Sequence, residues 1–249
     1  MATGSAGGSE RRLSTGHEVE LPLSCRARLG GCVLAADWAP LRAALPRELT
    51  PVRLGPRSGA VALVGIDYHE VGTLEPYREF AVVVPTATDG IAGIPTTLSG
   101  VGGHVVDLPV STEPARALGD EVWGVPKSVT DITVETTPET VTVTVDDGGR
   151  PDIELSVDVS GASARRVRRR LTATAFLDDR LVGVPVDIDA EVRVALAGGP
   201  GGNDRAVRLA RGDGRYACVL RDLGIRPRVY ARFVASLVVA AVHPPEAVD

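Results

Sequence analysis

Lysine is almost missing from this sequence. The 249-residue chain has 27 basic residues, and since Lys127 is the only lysine, the other 26 are arginines. A high-GC coding bias explains arginine wherever only a cation is needed, and the abundance of Ala, Val and Gly agrees with it. It does not explain a position that needs a free amine, because guanidinium stays protonated whereas an ammonium can become a neutral nucleophile. Lys127 is therefore either a reactive amine or a surface lysine that the coding bias has not replaced.

The sequence also lacks long apolar segments and an excess of positive charge. Its longest largely apolar stretch, Phe233–Val242, is far shorter than a membrane span. The start, MATGSAGGSERRLS, has no apolar signal core. We therefore expect a cytoplasmic protein that does not contact a membrane. The net charge of −5 provides no overall basic field for nucleic acid.

Motifs for disulfides, metals and the common serine nucleophile are missing as well. The three cysteines form no CxxC pair, the four histidines form no HxxxH pair, and no serine lies in a GxSxG motif. We predict three reduced thiols, no metal site and no cofactor.

The organisation of the chain indicates one β domain. Residues 1–16 are small and polar and predict a disordered tail, whereas residues 17–249 show no linker and predict a single domain. Gly198–Gly202 lies between strand patterns and is predicted as a hairpin tip, not a phosphate loop. The predicted strands are Leu29–Ala36, Ala60–Tyr68, Phe80–Pro85, Val129–Glu135, Thr140–Asp146, Ile153–Val159, Leu171–Leu177, Ile188–Ala197 and Arg205–Ala210.

Helical patterns are few. Short helices are predicted at Asp37–Leu45, which ends before a proline, and at Glu113–Gly119, which has proline in its first turn. Val229–Val242 fits either a helix or a buried strand. The sequence therefore predicts a mainly antiparallel β protein with a few short helices.

The segment 113–130 places the lone lysine in an apolar setting. Pro126 fixes the backbone just before Lys127, and Trp123 and Val125 are large apolar neighbours. A free lysine has a pKa of about 10.4, and burial or a nearby cation lowers that pKa. A neutral amine condenses with a ketone or aldehyde, and the protonated imine stabilises a carbanion on the adjacent carbon. The segment therefore predicts lyase chemistry.

The stretch VSTEPARALGDEVWGVPKS resembles the signature of the acetoacetate decarboxylase superfamily, in which the lysine after proline forms a Schiff base. Weaker likeness at Ala36–Pro46 and Tyr77–Phe80 extends the resemblance over roughly residues 25 to 245. It implies an antiparallel β cone or barrel, a homo-oligomer, and Lys127 as the nucleophile. Acetoacetate decarboxylase is itself a standard example of an enzyme whose lysine has a lowered pKa, so that property is implied by the resemblance alone.

The same resemblance indicates further site residues. Glu79 falls on the segment that carries an active-site glutamate of the family, so we expect it to move protons or to hold an arginine. Arg28 is a candidate clamp for the substrate carboxylate, because the planar guanidinium suits that group. Glu121 is a candidate substrate contact that orients the loop, and Trp123 is a candidate wall of the pocket.

Two positions depart from the family pattern. Ser128 stands where the decarboxylase has a second lysine, and Val64 stands where it has a second glutamate. We expect Ser128 to contact the substrate in place of that lysine. A hydroxyl does not repel the ammonium, so the altered surroundings favour aldol, dehydration or cyclisation chemistry over simple decarboxylation of acetoacetate. We expect a role in secondary metabolism.

Three functions remain open from the sequence. The first is a Schiff-base lyase that acts on a keto acid, and the second is a β-barrel that binds a small ligand without catalysis. The third is nucleic-acid binding through the five arginines of Arg165–Arg170. The acidic chain favours a solvated or interfacial role for that cluster, so we expect a keto acid as the partner and no nucleic acid.

Overall fold

Alternating apolar and polar residues give most of the chain an extended conformation. The computed structural model describes residues 9–87, 101–196 and 205–248. Its strands in chain order are β1 (Ser9–Arg12), β2 (Glu18–Leu21), β3 (Leu23–Asp37), β4 (Thr50–Pro51), β5 (Arg53–Gly55), β6 (Ser58–Val71), β7 (Tyr77–Ala87), β8 (Val101–Val110), β9 (Lys127–Val129), β10 (Ile132–Thr136), β11 (Thr140–Asp147), β12 (Arg150–Asp158), β13 (Ala164–Leu177), β14 (Arg180–Leu196), β15 (Val207–Arg211), β16 (Ile225–Val242) and β17 (Glu246–Ala247). The helices are α1 (Trp38–Ala44), α2 (Glu113–Leu118) and α3 (Arg215–Asp222), and a π-helical turn spans Gly119–Trp123.

The centre of the fold is a closed barrel of seven strands in the order β7-β6-β3-β16-β14-β13-β8, in which β8 pairs again with β7. Neighbouring strands of this ring are antiparallel except for β13 and β8, which are parallel. β9 extends the sheet as a parallel neighbour of β8. The predicted mainly antiparallel β-barrel with a few short helices is confirmed.

The two largest apolar cores among the described residues lie on opposite faces of the barrel wall. A four-stranded sheet, β10-β11-β12-β15, packs on the outside of the barrel, and large buried side chains such as Phe80, Ile153 and Leu155 fill the space between the two sheets. The other core lies inside the barrel. Because successive side chains on a strand point to opposite faces, Glu79 lines the barrel interior whereas Phe80 packs in the outer core.

Several elements differ from the sequence-based predictions. Val229–Val242 belongs to a strand, β16, and the predicted strand Val129–Glu135 is divided between β9 and β10. The predicted disordered tail is wrong for residues 9–16, because β1 pairs with β2 in a hairpin. Residues 1–8 and the predicted hairpin tip Gly198–Gly202 lie outside the described residues.

Helix α3 was not predicted, because its stabilising contacts come from distant residues. The Asp152 carboxylate on β12 accepts hydrogen bonds from the backbone N–H of Gly214 and of Ala217, at 2.7 and 2.9 Å. These contacts satisfy N–H groups at the start of the helix that have no partner within it. No helix among the described residues is long and apolar enough to cross a membrane.

Candidate active site

The barrel encloses a cavity of about 220 Å³. Most of its wall consists of aliphatic side chains from β3, β6, β8, β13, β14 and β16. The side chains with polar atoms that line it are Cys25, Tyr68, Tyr77, Glu79, Trp123 and Lys127. A small molecule that enters the cavity therefore meets an apolar wall and one polar cluster.

The lone lysine and a glutamate meet inside this cavity. Lys127 Nζ donates a hydrogen bond to Glu79 Oε1 at 2.5 Å, and the two side chains are only 3% and 5% exposed. Lys127 lies on β9 and Glu79 on β7, one on each side of β8. Lys127 is therefore not a leftover surface lysine, and the structure brings together the two residues predicted as catalytic.

The loop before β9 holds the lysine in place. Asp120 accepts a hydrogen bond from the backbone N–H of Lys127 at 3.0 Å, and Arg116 donates to the other oxygen of Asp120 at 2.8 Å. A Cβ atom at Gly119 would lie 2.3 Å from Cδ and 2.4 Å from Cε of Lys127. Because position 119 is glycine, the space that the lysine side chain needs to reach the cavity stays free.

The π-helical turn ends at a second glycine. Gly124 has a φ of +66°, and a Cβ atom there would lie 2.0 Å from the backbone oxygen of Phe176 on β13. Both the left-handed conformation and the close backbone approach require glycine at this position. The turn thereby brings the chain against the barrel wall just before it enters β9.

Two tyrosines and a cysteine surround the carboxylate. The rings of Tyr68 and Tyr77 lie 4.8 Å apart, and Lys127 Nζ lies 5.7 Å from the centre of the Tyr77 ring. Burial, together with the charge of Glu79 and a hydrogen bond to it, raises the pKa of each phenol well above its usual value. Burial, with a smaller effect of Glu79, raises the pKa of the Cys25 thiol to about 12. All three groups therefore stay protonated near neutral pH.

Trp123 is the third predicted site residue that lines the cavity. Its indole Nε1 donates a hydrogen bond to the backbone oxygen of His243 at 3.1 Å, so its polar atom is already engaged with the protein. The indole ring therefore forms part of the cavity wall.

Arg28 lies outside the cavity. On β3 the side chains of Cys25, Ala27 and Leu29 line the cavity, whereas Arg28, between two of them, is exposed on the outer face. Strand alternation directs neighbouring side chains to opposite faces, so the structure does not support the predicted carboxylate clamp.

Glu121 and Ser128 also point away from the cavity. The Glu121 carboxylate accepts hydrogen bonds from the backbone N–H and the hydroxyl of Ser14, so it attaches the N-terminal hairpin to the π-helical turn. The Ser128 hydroxyl lies 3.2 Å from the hydroxyl of Tyr216 on α3, on the side of the outer core. Neither side chain is placed to contact a molecule in the cavity.

The arginine cluster forms ion pairs on the outer face of the barrel. Arg166 and Arg168 both donate to Asp189, and Arg170 donates to Asp187 on the neighbouring strand β14, at distances of 2.6 to 2.8 Å. Hydrogen bonds from these arginines lower the pKa of both carboxyl groups. Much of the positive charge is therefore neutralised locally, which does not favour nucleic-acid binding.

In the described ranges 9–87, 101–196 and 205–248, no group of three or more His, Cys, Asp or Glu side chains is arranged to hold a metal ion.

Comparison with known proteins agrees with this geometry. Residues 32–195 match the acetoacetate decarboxylase (ADC) family. The chain belongs to the acetoacetate decarboxylase family. The matched region contains both members of the buried pair, Glu79 and Lys127. No curated protein matches the chain significantly.

Solved structures of ADC-like proteins share the fold over nearly the whole chain. The enduracididine biosynthesis enzyme MppR in complex with pyruvate has a TM-score of 0.66 and 16% identity, covering 97% of this chain and 98% of MppR. A structure of acetoacetate decarboxylase has a TM-score of 0.62 and 17% identity, covering 91% of this chain and 89% of the other. Acetoacetate decarboxylase from Legionella pneumophila has a TM-score of 0.62 and 15% identity, with coverages of 92% and 87%. The chain therefore shares its fold with these ADC-like proteins.

Sequence reasoning missed several residues of the site. Tyr77 is two residues before Glu79 on one strand, so its position on the same face could have been deduced from alternation. Gly119 lies in the stretch that resembles the family signature, but its contact with Lys127, like that of Asp120, could not be deduced, because both contacts depend on how the turn folds back on β9.

Proposed function

We propose that this ADC family member is a lyase that forms a Schiff base between Lys127 and a keto acid. The observation that carries the proposal is that the only lysine of the chain is buried in the cavity, 2.5 Å from the carboxylate of Glu79. A surface position or a purely structural cation could be filled by arginine, which occupies every other basic position of the sequence.

The ion pair provides a route to the neutral amine that the chemistry needs. Transfer of one proton from Lys127 Nζ to Glu79 Oε1 leaves a neutral amine and a neutral carboxylic acid in the apolar cavity. The amine nitrogen then forms a bond to the carbonyl carbon. The carbonyl oxygen leaves as water after it takes up protons, one of which Glu79 returns, and a protonated imine remains.

The protonated imine then accepts the electron pair of a neighbouring bond. If that bond holds a carboxylate, CO2 leaves and an enamine forms. If it is a C–H bond, Glu79 is within reach to take its proton, and the resulting enamine can enter aldol addition, dehydration or cyclisation. If it is the C–C bond of an aldol, Glu79 takes the proton of the aldol hydroxyl, the fragment that bears it leaves as a carbonyl compound, and the enamine remains. A solved relative by fold, MppR, holds pyruvate or its condensation product with imidazole 4-carboxaldehyde, which supports a small keto acid as the ligand class.

Reductive trapping tests the imine directly. Borohydride with a keto acid that the enzyme turns over should attach the mass of the reduced substrate to the peptide containing Lys127. In Lys127→Arg, trapping should disappear and turnover should fall by roughly 1,000-fold or more, since removal of a nucleophile has effects of this size or larger. Unmodified protein from a preparation that turns over the same keto acid would exclude the imine.

A surface lysine provides the matched control. Arg78→Lys places a second amine one residue from Glu79, on a side chain that is 48% exposed. This variant should acquire the adduct at Lys127 and not at position 78. If ligand affinity and turnover both survived in Lys127→Arg, the barrel would be a binding protein in which the amine has no chemical role.

The expected cytoplasmic location, homo-oligomeric state and place in secondary metabolism stay predictions. Sedimentation or light scattering of the purified protein measures the oligomeric state, and a monomer at all concentrations would contradict that part.

A further inference from the structure

The cavity is charged at one side only. Glu79 and Lys127 are its only lining residues of the types Asp, Glu, Lys and Arg within the described part of the chain. All 26 arginines fall in the described residues, and none of them lines the cavity. Residues 1–8, 88–100, 197–204 and 249 contain no lysine or arginine in the sequence. Lys127 is therefore the only fixed cation that this chain brings to the cavity.

Arg169 is a candidate for a second cation, because its strand position puts it on the same face as a cavity-lining residue. In the pairing of β13 with β14 it stands opposite Ile188, which lines the cavity. Arg169 is exposed, however, and its guanidinium donates to the backbone oxygen of Arg168 at 3.0 Å. It is not among the residues that line the cavity.

The wall across the barrel from the lysine is entirely apolar. In the ring of strands, β16 lies across from the neighbouring β7 and β8, and β14 is the next strand after β16. Glu79 is on β7, and β8 pairs with β9, which carries Lys127. The cavity-lining side chains of β14 and β16 are Val184, Val186, Ile188, Val238, Ala240 and Val242. A molecule attached to Lys127 thus extends towards aliphatic groups with no polar partner.

We propose, resting on the imine chemistry above, that the substrate is a keto acid with a single carboxylate and an apolar tail, which β14 and β16 bind. The carboxylate next to the reacting carbonyl faces the positive imine nitrogen, so its charge has a partner. A carboxylate at the far end of the tail would have none in this wall, and burying an unpaired charge is strongly unfavourable.

A matched pair of keto acids tests this assignment. 2-Oxopentanoate and 2-oxopentanedioate have the same carbon chain, but the second ends in a carboxylate where the first ends in a methyl group. With cyanoborohydride at equal concentrations, the adduct on Lys127 should form about 100-fold or more faster from 2-oxopentanoate. Equal rates, or faster trapping of the diacid, would overturn the assignment while leaving the imine chemistry intact.

Failure of the underlying chemistry gives a different result. No adduct from either acid, in protein whose thermal unfolding shows a folded state, would overturn the Schiff-base function and this inference with it. The comparison of the two acids uses the unmodified protein and does not depend on the folding of any variant.

An added arginine sharpens the test. Val186 lines the cavity on β14 and is half-buried, so Val186→Arg can place a guanidinium against the tail. We expect this change to raise the trapping rate of 2-oxopentanedioate by about tenfold or more, since a guanidinium pairs strongly with a carboxylate, and to lower that of 2-oxopentanoate. Val239→Arg, on the exposed outer face of β16, should leave the ratio of the two rates unchanged. A folded Val186→Arg protein with an unchanged ratio would contradict the placement of the tail.

Discussion

The two cores of this protein share one wall and differ in what fills them. The outer core, between the barrel and the four-stranded sheet, is packed with large aliphatic and aromatic side chains. The inner core encloses a hollow of about 220 Å³ and contains a buried ion pair. Adjacent residues of one strand face different cores: on β7, Glu79 faces the inner core and Phe80 the outer core.

This difference suggests that the outer core provides most of the stability of the fold, whereas the inner core provides space for a ligand. Close packing maximises dispersion contacts and the apolar area removed from water. A hollow and a buried ion pair forgo part of that stabilisation. The filled core therefore stabilises a barrel whose interior holds a hollow and a buried ion pair. The following changes test the contrast, beginning with the largest expected effect.

Of all these changes, neutralising the Glu79 carboxylate in the inner core should lower activity most strongly. Glu79→Gln keeps the shape of the side chain but removes the base that takes the proton from Lys127. We expect kcat to fall by about 100- to 10,000-fold, the range typical of a lost general acid–base group. Glu70→Gln is the matched control, because Glu70 is 65% exposed and pairs with Arg26 on the outer face. A Glu79→Gln enzyme with wild-type kcat would refute the role of Glu79 in proton transfer.

A single methyl group should displace the lysine without unfolding the chain. Gly119 has φ −67° and ψ −50°, which alanine adopts readily, but the added Cβ would meet the side chain of Lys127. We expect Gly119→Ala to lower kcat/KM by about 100-fold, as misplacement of a reacting group does, with little change in Tm.

Gly55→Ala provides the control for that change. A Cβ atom at Gly55 has only the Ser58 Oγ atom within 4 Å, at 3.0 Å, and lies in the β5–β6 hairpin away from the cavity. Activity equal to wild type in both alanine variants would show that the lysine tolerates displacement.

Matched leucine deletions compare the two cores directly. Leu155 is fully buried in the outer core, so Leu155→Ala should lower the free energy of unfolding by about 2–5 kcal/mol. Leu108 borders the cavity, so its shortened side chain would remove fewer contacts, and Leu108→Ala should cost less than about 2 kcal/mol. Urea unfolding of the two variants measures both values, and a larger loss for Leu108→Ala would contradict the larger contribution of the outer core to stability.

The smallest expected effect concerns a buried histidine in the wall. Burial lowers the pKa of His104, whose Nδ1 lies 3.2 Å from the Thr174 hydroxyl. The unfolded chain therefore binds a proton more readily than the folded one, and stability falls as pH drops below about 6.5. We expect a slope of up to about 1.4 kcal/mol per pH unit. In His104→Asn this part of the pH dependence should disappear when Tm is followed from pH 8 to pH 5; an identical pH profile would contradict it.

The sequence alone predicted the strands of the barrel better than the side chains that face its cavity. Period-two alternation identified most barrel strands, and the stretch around Lys127 indicated the family, because both signals are local. Val101–Val110 escaped prediction as a strand, since its two glycines and a proline weaken the pattern.

The inward or outward direction of each side chain was harder to predict. Arg28 was expected in the site, but its neighbours Ala27 and Leu29 line the cavity and Arg28 faces the outer surface. A prediction that is wrong by one residue along a strand places the side chain on the opposite face. Ser128 likewise follows the lysine directly and for that reason faces the other core. Such assignments need the register of the folded barrel, which the sequence does not contain.

The hydrogen bonds between Ser14 and Glu121 have a practical consequence for anyone who engineers this protein. They link the β1–β2 hairpin to the π-helical turn that precedes Lys127. We expect removal of residues 1–17, or their replacement by a fusion partner, to loosen the turn that positions Lys127 in the cavity.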